Sequence, residues 1–134
     1  MNPSILEKIS AILDGDSEAL VNFAEELGSK YAPQDRGELK QKVTSSQIRN
    51  ILDDVQRMKK YDRNALLLLR PKLAYAAGKS FNNNSLKQLQ EILDKAIELT
   101  VQDPQKAEHR FSNFKNFFEA IVGYHRYHSK VREG

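Results

Sequence analysis

The sequence has no cysteine and no long apolar run. Without cysteine, a disulfide framework and a thiolate zinc site are both excluded, and the composition suits a reducing compartment. The longest apolar run, Ala65 to Leu69, is far shorter than the roughly 20 residues that a membrane helix needs. The N-terminal residues also lack the basic start and apolar stretch of a signal peptide. We therefore expect a cytoplasmic protein that makes no use of a membrane.

Signals for catalysis are equally scarce. The glycines are isolated, so no glycine-rich phosphate loop is present. Asp53 and Asp54 are adjacent and would face different directions on a helix, which suits them poorly to acid–base work. A metal site remains a minor alternative, with possible ligands His125, His128, Glu108 and Glu119. Because histidines at a helix end beside a basic tail more often lie at the surface, we expect no enzyme activity, metal or cofactor.

The periodicity of the apolar residues is helical throughout. Every periodic segment repeats at about 3.6 residues and none alternates at two, which predicts an all-α fold. With 134 residues, 40% hydrophobic and 29% charged, the chain fits one globular domain spanning residues 1–134. We expect a compact bundle of about five helices, with an acidic, more variable part over residues 1–43 and a core bundle over residues 44–131.

Capping signals predict where several helices begin. A short helix over Ser4 to Leu13 is followed by one over Ser17 to Lys30, which Asp16 caps. The segment from Tyr31 to Val43 is predicted to be a loop. Thr44 and Gln47 have the spacing of a capping box, in which each side chain bonds the backbone amide of the other residue.

The second half of the chain contains three further predicted helices. Asp62 to Lys79 should kink or break at Pro71, and its leucines 66–69 should be buried on all sides. Ser85 is predicted to cap the next helix, with Gln88 in the reciprocal position. Asp103 and Pro104 should then start a long, aromatic-rich C-terminal helix that reaches Val131. Its apolar stripe comprises Ala107, Phe111, Phe114, Phe118 and Ile121.

The net charge of +3 conceals an uneven distribution. Residues 1–39 contain three basic and eight acidic side chains, a net charge of −5, whereas residues 40–80 contain ten basic and three acidic side chains, a net charge of +7. The remaining residues carry +1. Such asymmetry favours a polyanionic partner.

The helix that begins after Thr44, in this basic segment, is predicted to have an apolar face and a basic face. If that helix continues far enough, Arg49, Gln56, Lys60 and Arg63 superimpose in projection. Asp53 has the spacing to pair with Arg49 and Arg57. No base-reading module accompanies these cations, so binding should be electrostatic and indifferent to sequence. Nearby aromatic residues that could stack on a base are Tyr61, Tyr75 and Phe81.

Three blocks of sequence resemble a known family. They are TSSQIRNIL (Thr44–Leu52), LLLLRPKLAYAAGK (Leu66–Lys79) and FSNFKNFFEAIVGYHRYH (Phe111–His128). In their order and spacing these blocks resemble the small subunit of the type III-A CRISPR interference complex, the Csm complex. Lys79 stands where that family more often has arginine, and a lysine cannot make the bidentate phosphate contact of an arginine.

The resemblance implies a non-catalytic antiviral-defence protein that binds RNA. Members of the family stack in several copies along a filament, beside the subunits that hold the guide RNA, and contact the backbone of guide and target strands without reading bases. Other subunits carry out cleavage. Transferred to this chain, the best candidates for backbone contacts are Arg49, Lys60, Arg70, Lys72 and Lys79. Arg57 and Arg63 are second choices, because Asp53 could occupy Arg57.

Two other functions remain open from the residues alone. The chain could be a stand-alone binder of single-stranded nucleic acid, which requires tight binding without partners. It could also be a helical protein–protein scaffold, in which the basic face docks an acidic protein.

Overall fold

A computed structural model describes residues 1–80 and 83–131 of the protein. All regular secondary structure in these residues is helical, which confirms the predicted all-α class with one helix more than the five expected. A short 3-10 turn spans Arg36–Glu38. The α-helices are α1 (Pro3–Leu13), α2 (Ser17–Tyr31), α3 (Ser45–Gln56), α4 (Arg63–Lys79), α5 (Asn84–Gln102) and α6 (Ala107–His128).

Helix α6 lies at the centre of the bundle, in contact with α1, α2, α3 and α5. Its side chains Phe114, Phe117 and Phe118 are completely buried. Ile9 of α1 and Phe23 of α2 belong to the same core cluster, and the Phe23 ring stacks on that of Phe117 with centroids 5.9 Å apart. The acidic N-terminal segment therefore shares its core with the rest of the bundle. Helix α4 completes the bundle against α5 and α3.

The two capping signals before residue 50 are confirmed. Asp16 accepts a hydrogen bond from the backbone amide of Ala19 at 3.0 Å. Thr44 and Gln47 form the reciprocal capping box, with bonds of 3.1 and 2.9 Å. These caps work over three residues of sequence, so the local pattern is sufficient to place them.

The predicted caps of α5 and α6 are wrong. Asn83, rather than Ser85, caps α5, because its Oδ1 accepts from the amide of Leu86 at 2.8 Å while its Nδ2 donates to the carbonyl oxygen of Lys42 at 2.7 Å. Asp103 accepts from the amide of Gln105 in a separate turn, and α6 begins only at Ala107. The helix ends at His128 and not at Val131 as predicted, so it spans 22 residues, or about 33 Å at 1.5 Å per residue.

Helix α4 also departs from two expectations. It runs without a break through Pro71, which lies on the solvent side of the helix. A carbonyl left without its amide partner there can be satisfied by water. The four consecutive leucines are not all buried, since Leu66 and Leu69 face the core whereas Leu68 is 64% exposed.

The loop between α2 and α3 is held at both ends. The amide of Val43 donates to the carbonyl oxygen of Tyr31 at 3.0 Å, and the carbonyl oxygen of Val43 lies 2.6 Å from Nε2 of His125. The buried Tyr31 hydroxyl donates to Gln88 of α5 at 3.2 Å. Desolvation by burial, assisted by the carboxylates of Glu26 and Glu91, raises the pKa of Tyr31 to about 12.

Helices α2 and α6 cross closely at Gly28. A β-carbon at this position would lie 2.6 Å from Cβ of Tyr124 and 2.7 Å from the backbone nitrogen of His125. The second of these atoms cannot rotate away, so glycine is the residue that fits the crossing.

Candidate nucleic-acid interface

Helix α4 divides its basic side chains between two sides. At 100° per residue, Lys72 and Lys79 fall within about 20° of each other in projection, and Arg63 and Arg70 form a second pair of the same kind. The two pairs lie about 160–180° apart, because the core-facing side lies between them. That buried side consists of Leu66, Leu69, Leu73 and Ala77. The four basic side chains of α4 therefore do not share one side of the helix.

Lys72 and Lys79 border a groove between α3 and α4 with a volume of about 170 Å³. Both lysines are exposed, and neither forms an ion pair within the described residues. The polar side chains that α3 contributes to the lining include Asn50 and Asp54. The apolar lining consists of Ile51, Leu69, Leu73, Ala76 and Leu86.

Two exposed apolar side chains accompany these lysines. Leu68 is 64% exposed and Tyr75 is 71% exposed. The ammonium group of Lys79 lies 5.8 Å from the centroid of the Tyr75 ring, within range of a cation–π interaction. The sequence interpretation named Tyr75 but missed Leu68 and Asn50. Residues 68, 72, 75 and 79 are spaced by four, three and four residues, which places them along one side of a helix. This spacing is the sequence signal that would have identified Leu68 as a neighbour of the two lysines.

Arg70 is engaged by carboxylates of α5. Its Nε and one terminal nitrogen donate to the two oxygens of Asp94 at 2.8 and 3.0 Å, and Glu98 lies 3.8 Å away. The hydrogen bond to Asp94, more than the charges around it, raises the pKa of the Arg70 guanidinium above its usual value. This bidentate pair joins α4 to α5, so Arg70 stabilises the fold.

Arg57 and Arg49 lie away from the groove centre. Arg57 pairs with Asp54 at 3.2 Å, not with Asp53 as predicted, and is largely exposed. The exposed Arg49 projects from α3 about 140° from Asp54, on the side that points away from the groove.

Lys60 and Arg63 are not on the same helix as Arg49. Helix α3 ends at Gln56, which places Lys60 in the connecting segment and Arg63 at the first position of α4. Both are exposed. The predicted superposition of these residues on one helical face is therefore wrong.

Of the other two aromatic candidates, only Tyr61 lies within the described residues, and it is not part of the groove lining. Tyr61 is half-buried and packs its ring at a tilt against Phe111, with centroids 6.0 Å apart. Phe81 lies outside the described residues. Within residues 1–80 and 83–131, Tyr75 is therefore the aromatic side chain that the groove lining includes.

A second group of basic residues surrounds the C-terminal ends of α2 and α6. Lys30, Lys42, His128 and Lys130 line a shallow depression there. The ammonium group of Lys42 donates to the carbonyl oxygen of Lys30 at 2.8 Å, and Nε2 of His128 lies 3.4 Å from Glu25. Positive charges are favourable near the negative ends of helix dipoles, so this group has a structural explanation.

The histidines do not form the metal site considered as an alternative. His125 is buried against Val43 instead of lying at the surface as expected, and His128 faces Glu25. Across residues 1–80 and 83–131, no three histidine or acidic side chains come close enough together to hold a metal ion.

Fold and groove together define a small helical protein with a lysine-bordered groove on its surface. The family model described as Csm2 Type III-A matches residues 14–131. The chain therefore belongs to this family, the small subunit of the type III-A Csm complex. The match confirms the resemblance and extends it into the acidic N-terminal segment. Comparison with curated proteins and with solved structures gave no match. Among the described helices, none has the length and apolar character to cross a membrane.

Proposed function

We propose that this protein is the non-catalytic small subunit of a cytoplasmic type III-A CRISPR ribonucleoprotein, in which it binds the backbone of the guide or target strand without reading its sequence. Family membership supports the place in a Csm complex. The observation that carries nucleic-acid binding is the pair Lys72 and Lys79, which are exposed, lie on the same side of α4 and form no described ion pair. Lysine is a compact charge that attracts any phosphate, so such a pair gives affinity without specificity.

The other cations predicted to contact phosphate differ in how available they are for that contact. Arg49, Lys60 and Arg63 are exposed and form no described ion pair, so they can contact a second strand or a strand that bends around the bundle. Arg57 must first exchange Asp54 for a phosphate, which is possible at an exposed pair because such pairs contribute little energy. Arg70 is left out of the proposed interface because Asp94 holds it with two hydrogen bonds.

The proposed partners extend beyond nucleic acid to other CRISPR effector subunits and to copies of the same chain in a filament. The acidic segment over residues 1–39 suits a contact with a basic neighbour, and a head-to-tail contact of this kind propagates. Within this proposal residues 1–134 act as a single domain.

Salt dependence tests the electrostatic part of the proposal. The proposed contacts without a described ion pair are Arg49, Lys60, Arg63, Lys72 and Lys79. If each of these five side chains neutralises one phosphate of a single strand, the slope of log K against log salt is about −3.5. The double variant Lys72→Ala/Lys79→Ala should reduce this slope by about 1.4. The matched control is the double variant Lys30→Ala/Lys130→Ala, at the basic group near the C-terminal ends of α2 and α6. Its slope should equal that of the wild type within experimental error.

Two outcomes would contradict the proposal. If the groove variant binds a labelled single-stranded RNA with unchanged affinity and slope, a protein scaffold is the better description. If the native protein, isolated from cells that express a guide RNA, recovers no other CRISPR subunit, the place in the complex is wrong.

A further inference from the structure

Resting on the proposed function, we infer that the groove between α3 and α4 accepts one unpaired nucleobase, which stacks on Tyr75 while Lys72 and Lys79 bind phosphates of the same strand about three nucleotide steps apart. The proposed function requires contacts to the backbone alone. This inference adds a site for a base and thereby selects an unpaired nucleotide over a fully paired duplex.

The first support is the stripe along α4. Leu68, Lys72, Tyr75 and Lys79 fall within about 60° of one another in projection, so apolar and cationic side chains alternate along one line. Tyr75 is 71% exposed between the two lysines. An aromatic surface flanked by positive charges is how proteins bind single strands without sequence preference, because every base has a π-face that can stack.

The spacing of the lysines matches a nucleic-acid strand. Seven residues of helix separate Lys72 from Lys79 by about 10.5 Å along the axis. At about 3.4 Å per nucleotide in a stacked strand, this distance spans about three nucleotide steps. A strand that follows α4 therefore presents phosphates to both lysines and a base to Tyr75, which lies between them.

The chemistry of the groove favours a base over a phosphate in its interior. Ile51, Leu69 and Leu73 provide an apolar lining. The carboxylate of Asp54 also lines the groove and would repel a phosphate, whereas it can accept a hydrogen bond from a base. The amide of Asn50 can donate and accept, which tolerates different bases. The phosphates are therefore left to the lysines at the rim.

The test compares two single-stranded RNAs that differ in one feature. One is a labelled strand of normal nucleotides, and the other has the same backbone with abasic sites. Tyr75→Ala in the full chain should weaken binding of the normal strand by between about 5-fold and about 150-fold. It should leave binding of the abasic strand unchanged, and Tyr75→Phe should retain most of the affinity for both strands. The matched control is Tyr127→Ala on α6, because Tyr127 is 79% exposed but lies outside the groove.

Each alternative result has its own meaning. If the abasic strand binds as well as the normal one, and Tyr75→Ala binds like the wild type while the lysine variants lose affinity, the base site is wrong and the backbone proposal survives. If Tyr75→Ala weakens both strands equally, Tyr75 acts by positioning Lys79, which also overturns the base site. If Tyr75→Ala loses other subunits but not RNA, the groove binds protein. If the wild type binds neither strand, both proposals fail.

Discussion

Replacement of Arg70 by alanine, compared with replacement of Lys72, tests whether Arg70 stabilises the fold while Lys72 serves the proposed binding. The Arg70 side chain makes two hydrogen bonds to Asp94, and these two side chains are 34% and 29% exposed. Hydrogen bonds to charged groups contribute about 1.5–3 kcal/mol when protected from water, and exposed ion pairs at most about 1 kcal/mol. Because this pair is partly exposed, we expect the free energy of unfolding to fall by about 1–2 kcal/mol.

This loss is measurable as a change in melting temperature. An unfolding entropy of about 2.1 cal/mol/K per residue means that each kcal/mol lowers the Tm of a chain of this length by about 3.5 °C. Arg70→Ala should therefore melt about 3–7 °C below the wild type, as followed by circular dichroism. Lys72→Ala, at an exposed position without an ion pair, should melt within about 2 °C of the wild type. For RNA binding we expect the opposite order, because Lys72→Ala should lose more affinity than Arg70→Ala.

A double-mutant cycle with Asp94→Ala completes the experiment. If the Arg70–Asp94 pair is the source of the stability, the effects of the two single variants should not add in the double variant. The reasoning is refuted if Arg70→Ala melts like the wild type and loses as much RNA affinity as Lys72→Ala. That result would mean that Arg70 leaves Asp94 to contact phosphate.

Three further predictions concern stability. Gly28→Ala should lower the free energy of unfolding by about 1–3 kcal/mol in urea, because the new β-carbon meets the backbone of α6 at 2.7 Å. Gly123→Ala, whose β-carbon meets nothing within 4 Å, should instead be neutral or stabilising by up to about 1 kcal/mol. Since the pKa of Tyr31 is about 12 in the native state against 10.0 ordinarily, the native protein keeps a proton that the unfolded chain loses. Stability should therefore fall by as much as about 2–3 kcal/mol as the pH rises from 10 to 12, and Tyr31→Phe should lack this part of the fall. Asn83→Ala removes a helix cap and leaves a loop carbonyl without its donor, so the Tm should fall by about 4–10 °C. The exposed Asn84→Ala should have little effect, and equal Tm values for these two variants would contradict the role of Asn83.

The helices that could be predicted from sequence are those whose signals are local. Thr44 and Gln47 act on each other across three residues, so the beginning of α3 follows from the sequence alone. Asn83 and Ser85 are both suitable caps by residue type. The choice falls on Asn83 because its amide also bonds the carbonyl of Lys42, 41 residues earlier, and no local pattern contains that contact.

The same difference between local and long-range contacts explains which parts of the candidate interface could be predicted from the sequence. The basic residues were evident individually, but the partner of Arg70 is 24 residues away and belongs to another helix. A run of four leucines also does not indicate which of them faces the core, so the exposure of Leu68 required the packing of α4 to be known. Once the buried side of α4 is known, the helical repeat alone separates Lys72 and Lys79 from Arg63 and Arg70.

The central position of α6 has a consequence for biosynthesis. Helices α1, α2, α3 and α5 all contact α6, yet all of them precede it in the sequence. At about 5–20 residues per second, a ribosome takes several seconds to translate the residues before Ala107. During that interval the nascent chain has four helices whose apolar sides lack their common partner. Chaperone binding to stalled nascent chains should therefore be strongest for chains that end before α6, and should decline once α6 has emerged from the exit tunnel.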